Sequence, residues 1–243
     1  MSNIMISQVT NKNGKGHKYK VTGDPRVDPD IPLPTISTIA RHADIGGGDG
    51  LLYWAVDAYI QTGIRNAFTD KRDDAAAIGK DLHSSIEEYI YTQQQPKNAS
   101  PLFGAWYSDL HEKGIEWHGS EMMVYSHTGF AGTVDAIGYL DGVPTIFDWK
   151  TTNELDKNGK RKKLLNDPTH ATQIGGYLRA LRTMATNFPE IPQPTQAFIV
   201  YVFRDTLTVK WREVSIPHAM RAFVMANILH KITVDEGGLL YEH

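Results

Sequence analysis

The chain contains no cysteine. That excludes disulfides, thiolate nucleophiles, zinc ribbons and iron–sulfur clusters held by cysteine. It leaves the compartment open. No run approaches the ~18 consecutive apolar residues that a membrane span needs, so no membrane partner is expected. The opening segment, MSNIMISQVTNKNGKGHKYK, lacks an apolar stretch of signal-peptide length. Its four lysines come without an arginine, which makes it a poor match to a mitochondrial transit peptide. Positive charge is not in excess either. Lysine and arginine number 25 against 28 acidic residues, a net charge of −3 with histidine neutral. Bulk charge therefore does not announce a nucleic-acid binder. Internal repeats and low-complexity tracts are absent.

What is present is ordinary globular material: 243 residues, 41% hydrophobic and 22% charged, enough for a substantial core. A short edge strand is expected at 17–21, then a loop through Pro25, Pro29, Pro32 and Pro34. Short and longer helices are expected over 35–42 and 51–67, separated by the glycine-rich break 44–50. Thr69 or Asp70 can cap the next helix, in which Ile78, Leu82, Ile86, Tyr89 and Ile90 recur at helical spacing. Another helix is expected over 102–113. The period then changes, and 116–126, 129–140 and 143–151 read as strands. Asp167-Pro168 looks like an N-cap with proline at the first helical position. Strands at 196–203 and 206–214 precede a last helix over 217–234. The fold class expected is α/β, a single domain over 1–243. Residues 1–68 form a strand-and-helix extension and 69–243 the core, built on a central mixed sheet flanked by helices.

The chemistry concentrates in one hairpin. If Asp141-Gly142 is a two-residue turn, Leu140 faces Val143, and counting back places Asp135 opposite Asp148. Their Cβ atoms would lie ~4.5–5.5 Å apart. Lys150 follows by two and joins the same face, while Phe147 and Trp149 point to the other with Val134 and Ala136. Two opposed carboxylates repel and raise one pKa. A divalent cation between them relieves this, and Mg²⁺ prefers one or two carboxylates with waters and phosphate oxygens.

These residues resemble the core of the PD-(D/E)XK nucleases, in particular the RecB-like exonuclease group. In that family an aspartate on one strand and a (D/E)-X-K on the next bind the metal and activate water; here they are Asp135, Asp148 and Lys150. The resemblance continues in order along the chain. Gly79-Lys-Asp-Leu-His83 matches a helical G-X-X-X-H, Glu121 the acidic residue on the preceding strand, and Gln173-Ile-Gly-Gly-Tyr177 a helical Q-X-X-X-Y. Pro34-Thr-Ile-Ser-Thr-Ile39 and the segment around Trp54 resemble the leading part of small single-domain members, including those similar to mitochondrial genome-maintenance exonucleases. Val134 stands where the family name has proline. The missing cysteines separate the chain from iron–sulfur-bearing branches.

The resemblance implies a restriction-endonuclease-like fold and a deoxyribonuclease using Mg²⁺ or Mn²⁺. His83, Asp135, Asp148 and the backbone carbonyl of Trp149 would be metal ligands, with Glu121 bound directly or through water. Lys150 would help generate the attacking hydroxide. Gln173 and Tyr177 would bind the scissile phosphate or its neighbour. Gly175 and Gly176 between them lower helix propensity and would let a strand or a DNA backbone approach closely. Glu87 and Glu88 read as ordinary helix surface. The run Lys157, Lys160, Arg161, Lys162 and Lys163 places five positive charges in seven residues just after the catalytic strand, where DNA-backbone contact is expected. Thr151 and Thr152 are further phosphate-binding candidates. The implied partner is DNA, in recombination, repair or genome maintenance, with room for a recombination or replication protein. A bacterial or phage-infected cytoplasm is the expected setting. The alternatives are a nuclease-fold DNA-binding subunit that does not cut, a metal-dependent endonuclease, or a hydrolase for another phosphate ester.

Overall fold

A computed structural model describes residues 4–11, 16–44, 60, 67–156, 158–162 and 167–235. Its sheet is mixed and five-stranded, in the order β3 (Glu116–Ser126), β4 (Phe130–Leu140), β5 (Val143–Thr152), β6 (Gln196–Phe203), β7 (Val209–Glu213). All neighbours are antiparallel except β5 and β6, which run parallel. A parallel pair needs a crossover, supplied by helix α4 (Pro168–Met184). Its start is as expected: the Asp167 side chain accepts from the Thr169 N–H, with Pro168 in the first turn.

Helices cover both faces of the sheet. On one, α1 (Ile36–Ala40), α4 and α5 (Ile216–His230) share a core with Val134, Ile137, Ile146 and Ile199. On the other, α2 (Ala67–Thr92) and α3 (Pro101–His111) enclose Ala136, Phe147, Trp149, Val200 and Val202. This is the α/β architecture expected, a central mixed sheet flanked by helices. The buried stripe of α2 is Leu82, Ile86 and Ile90; Ile78, expected with them, is exposed. Residues 69 and 70 lie inside α2, which starts at Ala67, rather than ahead of it. Nearly all of the helix expected over 51–67, Trp54 included, lies outside the described residues.

The strand expected at 17–21 exists as β2 (His17–Thr22), but it is not an edge of the main sheet. It pairs with β1 (Met5–Thr10), which has little apolar alternation to reveal it, in a separate two-stranded ribbon. Tyr19 fastens this ribbon to β4 through its hydroxyl, 2.8 Å from Thr133 Oγ1. No helix among the described residues is long and apolar enough to cross a membrane.

Candidate metal centre

The β4–β5 hairpin has the register read from its turn. Asp141 and Gly142 both have positive φ, 51° and 75°, as a type I′ turn requires. Pairing runs from Leu140↔Val143 to Ala136↔Phe147. Asp135 and Asp148 are the next positions, and there the ladder gives way. The Trp149 N–H donates instead to Asp135 Oδ2 at 2.8 Å. The facing strand is irregular at the same level. Glu121 has φ 50°, a conformation uncommon for a side-chain-bearing residue, and Ser120 Oγ donates to the Asp135 carbonyl at 2.7 Å. This break corrects one expectation. Phe147, Trp149 and Ala136 do share a core, but Val134 lies in the opposite one, because strict alternation fails at Asp135.

Beyond the break β5 continues on β6 alone, with Asp148 beside Ile199 and Lys150 beside Tyr201. Asp148 is fully buried, and Lys150 Nζ lies 2.6 Å from its Oδ2. Asp148 Oδ1 is buried with no hydrogen-bond partner among the described residues. The Trp149 indole packs against Trp106, Trp117 and Phe147, which leaves only its backbone for the site.

Helix α2 delivers the histidine. With Leu82 and Ile86 committed to the core, the neighbouring position His83 faces β3 and β4. Its Nδ1 is 3.2 Å from Glu121 Oε1 and its Nε2 is 3.8 Å from Asp135 Oδ2. One donor atom each from His83, Glu121 and Asp135 can be chosen so that all lie within 4.8 Å of one another. The charges respond. Burial opposes protonation of His83, but the Asp135 charge and the Glu121 contact outweigh it and lift the imidazole to about 9. Burial and the Asp148 charge raise Asp135 to about 6, against the pull of His83 and Lys150. Burial would lower Lys150; Asp148 and Asp135 reverse that and raise it, so it stays an ammonium ion.

This donor set suits a hard divalent cation. Two carboxylates and one imidazole, with the Asp148 carboxylate beside them on β5, offer mainly oxygen, and Asp148 Oδ1 is a buried acceptor with no hydrogen-bond partner among the described residues. Without a metal, protonated His83 supplies the positive charge between Glu121 and Asp135. The cleft beside it, about 750 Å³, runs between the β1–β2 ribbon, α2 and strands β3 and β4. Glu87, set aside as helix surface, lines this cleft. Burial first, then the Glu121 charge, raises its carboxyl. Its spacing of one turn from His83 is the signal that marks it.

The other predicted residues fall into place less uniformly. Gln173 Nε2 donates to the Tyr177 hydroxyl at 2.6 Å. Tyr177 is buried, and burial followed by the charges of Asp135 and Asp148 pushes its phenol well up. Gly175 and Gly176 do permit a close approach, but of helices. A Cβ on Gly175 would collide with the Ala219 backbone of α5, and one on Gly176 with Ile36 and Phe223. Of the basic run, Lys157 and Lys163 lie outside the described residues. Arg161 is exposed, with its Nε 3.4 Å from the buried Glu154 carboxylate. Lys160 is exposed, and Lys162 lines a second cleft with Thr152. Thr151 sits under α2 against Gly79.

No family model and no curated protein matches the sequence. Among solved structures, the crystal structure of SSO0001 aligns with 80% of this chain and 75% of that one, at 14% identity and a TM-score of 0.37. A phage-related exonuclease from Haemophilus somnus 129PT aligns over 83% of this chain and 96% of that one, at 8% identity and a TM-score of 0.34. Both are too distant to speak to what this chain does, which is read from its side chains.

Proposed function

We propose that this protein is a Mg²⁺- or Mn²⁺-dependent deoxyribonuclease, acting as an exonuclease in DNA recombination, repair or genome maintenance within the cytoplasm. The observation that carries this is the convergence of His83, Glu121 and Asp135, with donor atoms within 4.8 Å of one another, next to the Asp148–Lys150 pair on β5. Four acidic or imidazole side chains from α2, β3, β4 and β5 meeting a half-buried lysine is costly unless the charges have work to do.

His83, Asp135 and Asp148 would hold the metal, with Glu121 binding directly or through water and the Trp149 carbonyl completing the set. When bound, the cation supplies a Lewis acid for a phosphoryl oxygen and lowers the pKa of water. The chain's own groups do the rest. Lys150, kept cationic by Asp148, stabilises negative charge developing on the phosphate. The Trp149 N–H fixes Asp135, and the Ser120–Asp135 and Tyr91–Ser120 hydrogen bonds fix the strands that carry Glu121 and Asp135. Gln173 and Tyr177, joined by their hydrogen bond, contact the scissile phosphate or its neighbour. A second reading, a DNA-binding subunit that does not cut, draws on the metal-free charge balance, in which His83 bridges two carboxylates and Lys150 neutralises Asp148.

The test is cleavage of end-labelled single- and double-stranded DNA with Mg²⁺, with Mn²⁺, with EDTA, and by Lys150→Ala. Cleavage should vanish in EDTA and fall at least about 10²-fold in the variant. Activity surviving either change would refute the mechanism, and tight binding without any cleavage would establish the second reading. Product ladders from 5′ and 3′ labels separate exonuclease from endonuclease action.

A further inference from the structure

A second cleft, of about 630 Å³, lies beside the end of β5 and is lined by Thr152, Asn153, Lys162 and Arg204, with Asp74 of α2 on its wall. Arg204 lines it half-buried, and its Nε is withdrawn from water with no hydrogen-bond partner among the described residues. The guanidinium charge, set in the wall of this cleft, would attract an oxyanion entering it.

The cleft is built on a braced support. The Arg204 N–H donates to the Thr152 carbonyl at 2.8 Å, and the Lys162 N–H to the Glu154 carbonyl at 2.7 Å. Asp205 accepts from the N–H groups of Glu154 and Leu155 at 2.8 and 2.9 Å. The Glu154 carboxylate is in turn held by Lys210 at 2.7 Å and Thr206 at 2.9 Å. The loop after β5 and the turn after β6 are thus tied together, and both cations start from tied backbone. Lys162 and Arg204 are the cations among the residues lining the cleft. Thr152 lies two residues past Lys150, ~7 Å along the strand. On α2, the residues lining this cleft (74, 75 and 78) and those lining the metal-centre cleft (76, 79, 80, 83, 84 and 87) lie on opposite flanks at 100° per residue. The two clefts therefore lie on either side of α2.

We infer that Arg204 and Lys162, with Thr152 and Asn153, form a phosphate-binding site that holds the nucleic-acid backbone about one nucleotide from the position that is cut. The inference rests on the nuclease reading only for naming the anion as a DNA phosphate. Binding in EDTA tests it apart from cleavage, using fluorescence anisotropy of a labelled single-stranded oligonucleotide at several salt concentrations. Arg204→Gln and Lys162→Gln should each weaken binding about tenfold. Each should also flatten the dependence of log affinity on log salt by ~0.7. Asp74→Asn should tighten binding, and Arg221→Gln on the exposed side of α5 should leave it unchanged.

If circular dichroism shows that Arg204→Gln does not fold, Lys162→Gln and Arg204→Lys decide the matter. The lysine should keep the salt slope while losing affinity, since it retains the charge but not the planar fork. Unchanged affinity and slope in the cleft variants would overturn the site, as would an equal loss in Arg221→Gln or a wild-type protein that does not bind DNA. If the wild type binds as described yet never cleaves with Mg²⁺, the nuclease reading fails and the site stands. If it cleaves while the cleft variants bind normally, the site alone fails.

Discussion

His83 sits between two carboxylates, and a metal competes with its proton for the same position. Asp135 and the Glu121 contact keep the imidazole protonated up to about pH 9 against its burial. A ligating histidine must be neutral. Metal binding at pH 7.5 should therefore release close to one proton, and apparent affinity should climb up to tenfold per pH unit until about pH 9. Asp135, lifted to about 6, is already mostly ionised at pH 7.5 and contributes little to that release. Calorimetric titration of Mn²⁺ in buffers of different ionisation enthalpy counts the proton directly. A count near zero would remove His83 from the ligand set. At this scale the sequence was informative where residue spacing alone decides proximity. The hairpin count put Asp135 next to Asp148, and the predicted rise of one carboxyl is found on Asp135. It could not show that Asp148 turns to Lys150 while Asp135 turns to His83. Nor does the positive φ of Glu121 have a sequence signature, because glutamate rarely adopts it.

The α4–α5 contact shows why an element can be located correctly and its neighbour missed. Asp167-Pro168 marks the start of α4, and the apolar spacing gives its inner face, both local signals. The Gly175-Gly176 pair announces that something comes close but not what, because the partner lies more than forty residues away in α5. The Cβ placements make a quantitative contrast. Gly175→Ala would drive a methyl into the Ala219 backbone, which cannot yield as a side-chain tip can. It should destabilise the fold by roughly 3 kcal/mol, the upper end for overpacking. Gly104 lies in α3 and has open space where its Cβ would be. Gly104→Ala should stabilise by about 0.5–1 kcal/mol through helix propensity. Urea unfolding of the two variants checks both signs. Equal shifts would mean that the α4–α5 approach is not as tight as described.

Across the whole molecule, the N-terminal ribbon was the least legible part, since β1 pairs with β2 rather than with the main sheet and both are short and polar. Beside Tyr19, Val21, Val27 and Leu33, which are buried in the main core, a buried polar junction holds this region to the body. Asp24 takes Arg26 at 2.7 Å and the Tyr125 hydroxyl at 2.7 Å, with Asn187 Nδ2 at 3.3 Å. It thereby links the segment after β2 to β3 and to the end of α4. The Arg26 hydrogen bonds hold the Asp24 carboxyl well below the usual carboxylate range despite its burial, with Tyr125 adding to the effect. A carboxyl whose folded pKa lies below its unfolded value stabilises the fold above that unfolded value, ~3.9, and the contribution fades as pH falls toward the folded one. Asp24→Asn should therefore cost on the order of 2 kcal/mol at pH 7, and the gap to wild type should narrow steadily below pH 4. Urea unfolding at pH 7, 4 and 3 measures it. Because the ribbon also walls the metal-centre cleft through Ile6, Ser7 and Gln8, loosening this junction should weaken DNA binding at neutral pH while leaving Mn²⁺ affinity unchanged. A gap that stays constant with pH would mean that the Asp24 charge does not hold the ribbon in place.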